Sequence, residues 1–235
     1  MTARPAARAW LALFVLFAVA DTVLAAVDLR TDVGAVRWAT KPLLMPLLAA
    51  YVVAAAGGFR GLALPLTALA GGFVGDVGLL PDRDGLFMVG MAGFAVGHTA
   101  YIRAFALRGA GARIAANRRI PLGYAAAWAV MIAVLWRGLD DLLVPVIGYS
   151  LLLTAMAAFA AGMDRRTAIG GALFLLSDTV IACGIADLDL VPGQDAVVMP
   201  TYLAAQFLLM TTWTRAPVLV REPEAAADPG SAAAF

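Results

Sequence analysis

Apolar stretches alternate with short polar gaps along this chain, and the stretches approach or reach the ~17–25 residues that a helix needs to cross a bilayer. Reading the gaps from charge, proline and glycine predicts helices over 8–28, 41–57, 61–80, 85–107, 120–137, 141–163, 167–187 and 196–214. Alternating segments of about ten residues, which a membrane barrel would need, do not occur. The expected fold is therefore all-α: a polytopic bundle of eight transmembrane helices. The first stretch, Trp10 to Val27, follows Arg4 and Arg8 as a signal peptide would. It lacks a clean small-x-small cleavage site after a short apolar core and contains Asp21, so it reads as a retained helix.

Composition agrees with that pattern. Of 235 residues 63% are hydrophobic and 14% charged, against about 25% charged in ordinary soluble domains. A formal net charge of +1 gives no handle for nucleic acid. One cysteine, Cys183, excludes an internal disulfide and a cysteine metal cluster, and one histidine, His98, leaves no His-rich site, so a metal-free site without cofactor is expected, with a metal held by Asp76, Asp178 and His98 as the alternative. Alternate gaps differ in basic residues. One side holds Arg4, Arg8, Arg60, Arg108, Arg113, Arg118, Arg119, Arg165, Arg166, Arg215 and Arg221; the other holds Arg30, Arg37, Lys41, Arg83 and Arg137. The positive-inside rule then puts both termini in the cytoplasm. Residues 1–215 form one membrane domain, and 216–235, rich in Ala, Pro and acidic residues, are expected to be a disordered cytoplasmic tail.

Two aspartates stand where lipid tolerates them least: Asp76 in GGFVGDVGLL and Asp178 in GALFLLSDTVIA. A carboxylate at mid-membrane costs roughly 2.5–3.5 kcal/mol on insertion scales, so such residues face a bundle interior and mark function. In the fourth segment Phe94, His98, Tyr101 and Phe105 fall on one helical face. Asp21 in the first segment and Lys41 at the outer start of the second complete the ionisable set. Pro42 after Lys41 suits a helix start, and Lys41 there would snorkel to the interface. Arg37, Lys41 and Arg83 read as solvated residues flanking the membrane that could also meet a phosphate. Tyr149, Ser150, Tyr202 and Gln206 add hydrogen-bonding groups that need partners in lipid. At ~1.5 Å per residue Asp21, Asp76 and Asp178 share one layer, whereas His98 lies nearer the cytoplasm, so its direct contact with Asp76 is not expected. Gly71, Gly72, Gly75, Gly90, Gly93, Gly97, Gly170 and Gly171 permit close helix packing; such stripes serve within a subunit as well as between subunits and set no oligomeric state.

KPLLMP at 41–46, GDVGLL at 75–80, GFAVGHTAYIRAF at 93–105, GALFLLSDTVIA at 171–182 and TYLAAQFLL at 201–209 together resemble the YhhN family of multi-pass membrane proteins. The resemblance implies an eight-helix fold in a bacterial cell membrane and a lysoplasmalogenase activity, with Asp76 and Asp178 as the essential acidic pair. The implied substrate is a lysophospholipid with a vinyl ether at the first glycerol carbon, drawn from membrane lipid. Its hydrolysis yields a fatty aldehyde and glycerophosphocholine or glycerophosphoethanolamine. Protonation of the vinyl carbon distant from oxygen would give an oxocarbenium ion, to which water adds. Of two neighbouring carboxyls out of water, one can keep the proton and act as acid while the other stabilises the cation. We assign the acid to Asp178, because Phe174 to Ala182 brings few polar groups of its own. Asp21, Lys41, His98, Tyr101, Tyr149, Tyr202 and Gln206 are the expected substrate contacts. Two other readings use the same residues: a small proton-coupled lipid or solute transporter, and a hydrolase of another lipid ether or ester. No inverted repeat or broken-helix pair supports transport.

Overall fold

A computed structural model describes residues 5–27, 34–80, 84–188 and 194–215. The tail expected at 216–235 and Arg83 lie outside the described residues. All regular structure among them is helical: α1 Pro5–Val27, α2 Gly34–Ala56, α3 Ala63–Gly78, α4 Asp84–Ala106, α5 Ala110–Ala116, α6 Arg119–Leu135, α7 Leu143–Ala161, α8 Arg165–Ile185 and α9 Asp195–Arg215. A helix covers every one of the predicted segments. Six of them, α1, α2, α4, α7, α8 and α9, are long and apolar enough to cross a membrane. α6 reaches that length only together with α5, from which it is bent by 89°. α3, with 16 residues, extends about 24 Å at 1.5 Å per residue.

Two local departures have physical causes. α2 begins at Gly34, not at Lys41, and carries Pro42 and Pro46 in its interior. Proline marks helix starts in water, but membrane helices tolerate it internally where neighbours satisfy the freed carbonyls. Lys41 and Arg37 are therefore buried residues of α2 rather than solvated residues at the membrane edge. α5 is a helix the apolar pattern did not announce. Gly109, with φ +84°, breaks the chain after α4, and seven residues are too few to show a periodic face.

Close backbone contact holds α3 to α4. A Cβ on Gly71 would lie 2.6 Å from the Gly93 carbonyl oxygen and the Gly97 nitrogen, and one on Gly78 would lie 2.6 Å from the Gly90 Cα. Gly71 meeting Gly97 and Gly78 meeting Gly90 makes the pair antiparallel, and small residues here gain packing that bulkier ones would prevent. Gly170 does the same for α8 against α9, where a Cβ would stand 3.0 Å from the Leu209 nitrogen, and Gly171 for α8 against Ala157 of α7. Asp164 caps α8 by accepting from the Arg166 and Thr167 amides at 2.9 and 3.3 Å. Thr167 passes this anchor to the last turn of α9 through Thr212, 2.9 Å away. The main core, from Phe14 and Leu44 to Trp213, joins α1, α2, α3, α4, α7, α8 and α9.

Candidate functional site

Asp21, Lys41, Asp76, Tyr149, Asp178 and Tyr202 all sit in the half of their helix nearest the α1–α2, α3–α4, α6–α7 and α8–α9 connections. These residues fall in one layer toward the end of the bundle opposite Pro5 and Arg215. The layer holds two carboxylates in two different settings.

Asp76, 2% exposed on α3, accepts a hydrogen bond from Tyr202 of α9 at 2.9 Å. Gln206, one turn along α9, donates its amide to the Tyr202 oxygen at 3.2 Å and accepts from Tyr101 of α4 at 2.6 Å. A polar chain thus runs Tyr101, Gln206, Tyr202, Asp76 through the core. Gly72 makes room for it: a Cβ there would stand 2.9 Å from the Gln206 amide nitrogen. Lys41 and Asp21 both act electrostatically on Asp76. Thr40 donates to Asp21 at 2.7 Å, while the second Asp21 oxygen is buried with no hydrogen-bond partner.

Asp178, half-buried on α8, accepts a hydrogen bond from Tyr149 of α7, whose oxygen lies 3.2 Å from His98 Nε2. His98 is 1% exposed, and its Nδ1 has no partner. His98 therefore joins Asp178 through Tyr149 and does not bond Asp76. The apolar neighbourhood from Phe174 to Ala182 does not leave Asp178 without polar company, as its own segment suggested, because α7 supplies the phenol. Ser150, next to Tyr149 on α7, accepts from Trp128 of α6 at 3.0 Å.

Aromatic rings separate the two carboxylates. Phe94, Phe174 and Tyr202 meet edge to face with centroids 5.3 to 6.2 Å apart, and His98 packs edge-on against Phe174 at 4.8 Å. Gly75 gives Phe94 its place, since a Cβ there would enter the ring. Asp76 still acts electrostatically on Asp178 across this partition. On the Asp178 side a narrow cavity of about 50 Å³ extends toward the near end of the bundle, lined by residues such as Phe87, Met91, Met131, Val146, Tyr149 and Ile185. Its wall is apolar apart from Asp178 and three hydroxyls, those of Tyr149, Ser150 and Thr179. Among the described residues no three His, Cys, Asp or Glu side chains converge as metal ligands would.

The predicted residues thus fall into two groups. Asp21, Lys41, Tyr101, Tyr202 and Gln206 gather on the Asp76 side, and His98 and Tyr149 on the Asp178 side. Sequence reasoning missed Thr40, because the late start assigned to α2 left it outside a helix, and Met45, whose sulfur lies 3.6 Å from the Tyr202 hydroxyl. It also missed Phe174 as a partition. The only signal for that role was its place one turn before Asp178 on α8.

The YhhN family model matches residues 36–213, which include every residue of this layer except Asp21. The chain belongs to the YhhN family. The human lysoplasmalogenase TMEM86B is 31% identical over 175 residues, covering 72% of this chain and 70% of the human protein. The lysoplasmalogenase TMEM86B of pig, Sus scrofa, is 32% identical over 154 residues, 62% of this chain and 61% of its own. No solved structure matches the chain. With six helices of crossing length, this YhhN protein is an integral, multi-pass membrane protein.

Proposed function

We propose that this YhhN protein is a lysoplasmalogenase-like hydrolase that cleaves the vinyl ether of a 1-alkenyl glycerophosphocholine or glycerophosphoethanolamine within the membrane. The observation that carries this reading is the pair of carboxylates, each bonded to a tyrosine, with Asp178 in the wall of an apolar cavity. Relatives named as lysoplasmalogenases support the substrate class.

In this scheme Asp178 is the acid. Tyr149 occupies its Oδ2, which leaves Oδ1 to bring a proton to the vinyl carbon distant from oxygen. The adjoining carbon becomes an oxocarbenium ion. Asp76 balances that charge across the rings, and the Asp178 carboxylate left by the first transfer takes a proton from the attacking water and is restored as the acid. The hemiacetal collapses to a fatty aldehyde, and the glycerol oxygen leaves with a proton. Water supplies both hydrogens and the carbonyl oxygen, so no cofactor enters the balance. Lys41 and the chain from Tyr101 to Tyr202 hold Asp76 in place.

We also read the eight longer helices as eight crossings with both termini cytoplasmic, α3 short and α6 reached through α5, in a bacterial cell membrane. Arg60, Arg108, Arg113, Arg118, Arg119, Arg165, Arg166 and Arg215 at the terminal end of the bundle support this orientation.

The deciding experiment is fatty aldehyde release from a 1-alkenyl lysophospholipid by purified protein in detergent, beside Asp76→Asn and Asp178→Asn. Release by the wild type and its loss in both variants is the expected result. Folded wild-type protein that releases no aldehyde would overturn the reading, as would either variant at full activity.

A further inference from the structure

The cavity at Asp178 has a neighbour. A second groove runs along α6 against α8, lined by Trp128, Val134 and Cys183 among others, and it shares Met131, Leu175 and Thr179 with the cavity. These three side chains form the partition between the two spaces. Thr179 spends its hydroxyl hydrogen on the Leu175 carbonyl at 2.7 Å, and its oxygen lies 3.5 Å from the Met131 sulfur, a weak link between α8 and α6. Methionine is unbranched and changes rotamer readily.

α6 is also the helix least committed to the bundle. It buries one residue, Leu135, whereas α7 buries eight. It leaves α5 at the 89° bend, and its side-chain hydrogen bond to α7 is the one from Trp128 to Ser150. Elements with few buried contacts open at lower free energy than the core around them. By contrast α3 and α4 are locked by backbone contact, so a motion that exposes Asp178 to lipid has its easiest path at α6.

The geometry points to the α6–α8 groove as the side gate through which the hydrocarbon chain of a single-chain lipid slides from the bilayer into the cavity at Asp178, with Met131 and Thr179 as the gate. The occupant follows from the walls. They are apolar at membrane depth, and a phosphate headgroup left there would lack partners, whereas a hydrocarbon chain loses nothing on leaving the lipid. The identity of the lipid rests on the hydrolase reading above; the gate does not.

Cys183, the chain's single cysteine, lines the groove and reports on its occupancy without catalytic turnover. In phosphatidylcholine nanodiscs, a saturated ether analogue, hexadecyl glycerophosphocholine, is expected to slow alkylation of Cys183 by N-ethylmaleimide severalfold. Glycerophosphocholine, which has no chain, is expected to leave it unchanged. In a Cys183→Ser background, Met131→Cys with Thr179→Cys is expected to lose aldehyde release on oxidation and regain it on reduction. Protection of Cys183 without any aldehyde release would keep the chain site and remove the hydrolase reading. Aldehyde release with no protection of Cys183, and undiminished after the disulfide forms, would overturn the gate and leave the hydrolase standing.

Discussion

His98 and Asp178 are joined through a single phenol. His98 Nε2 lies 3.2 Å from the Tyr149 oxygen, and that hydroxyl bonds Asp178 Oδ2. Histidine and carboxylate sit on helices distant in sequence, and α7 carries the one group that spans them. The link makes Tyr149 the residue whose removal isolates Asp178.

Tyr149→Phe keeps the ring and deletes the bond. A hydrogen bond to a charged group contributes about 1.5–3 kcal/mol, and each ~1.4 kcal/mol is tenfold in rate, so kcat is expected to fall roughly 10- to 100-fold with little change in KM. His98→Gln, one bond further away, is expected to fall less. A larger loss in His98→Gln than in Tyr149→Phe would mean that the histidine acts on substrate directly.

On the other carboxylate Tyr202→Phe is expected to reduce aldehyde release by a similar factor, because Asp76 loses the donor at 2.9 Å. Gln206→Leu should do so more weakly, since it acts through the tyrosine. Steady-state rates of the two variants, measured in the same detergent, give the order.

Lys41 tests the burial of α2. Lys41→Met removes a cation that acts on Asp76 and should lower kcat sharply, whereas Lys41→Arg keeps the charge and should retain a measurable part of the rate. Equal activity of Lys41→Met and wild type would return the lysine to the membrane edge.

The glycine seam predicts a stability difference. Gly71→Ala and Gly78→Ala each drive a methyl to 2.6 Å from the backbone of α4, and overpacking of this kind costs about 1–3 kcal/mol. Gly123→Ala on α6 meets nothing within 4 Å and should leave the thermal midpoint where it is. Tryptophan fluorescence on heating compares the three.

Much of this was legible from residues alone, for a physical reason. In lipid each apolar run must be a helix, so the segments could be read off, and each polar residue inside one needs a partner, so Asp76, Asp178, Tyr149, Tyr202 and Gln206 announced themselves. Partners could not be assigned, because that depends on which helices touch: Tyr149 and Asp178 are distant in sequence and Tyr202 and Asp76 more so. Pro42 misled because its meaning depends on solvent. Lys41 therefore seemed to belong to the interface and Thr40 to a loop, although both lie inside α2. α5 escaped because so short a helix bent by a right angle leaves no periodic trace.

Six glycines along α3 and α4, Gly71, Gly75, Gly78, Gly90, Gly93 and Gly97, let the two backbones touch, with the Val74 and Phe94 side chains filling the space at Gly93 and Gly75, so the pair behaves as a single strut. Asp76 and the His98 ring ride on that strut. Their separation stays fixed while lipid jostles the outside of the bundle, and whatever yields to admit a substrate must do so away from this seam.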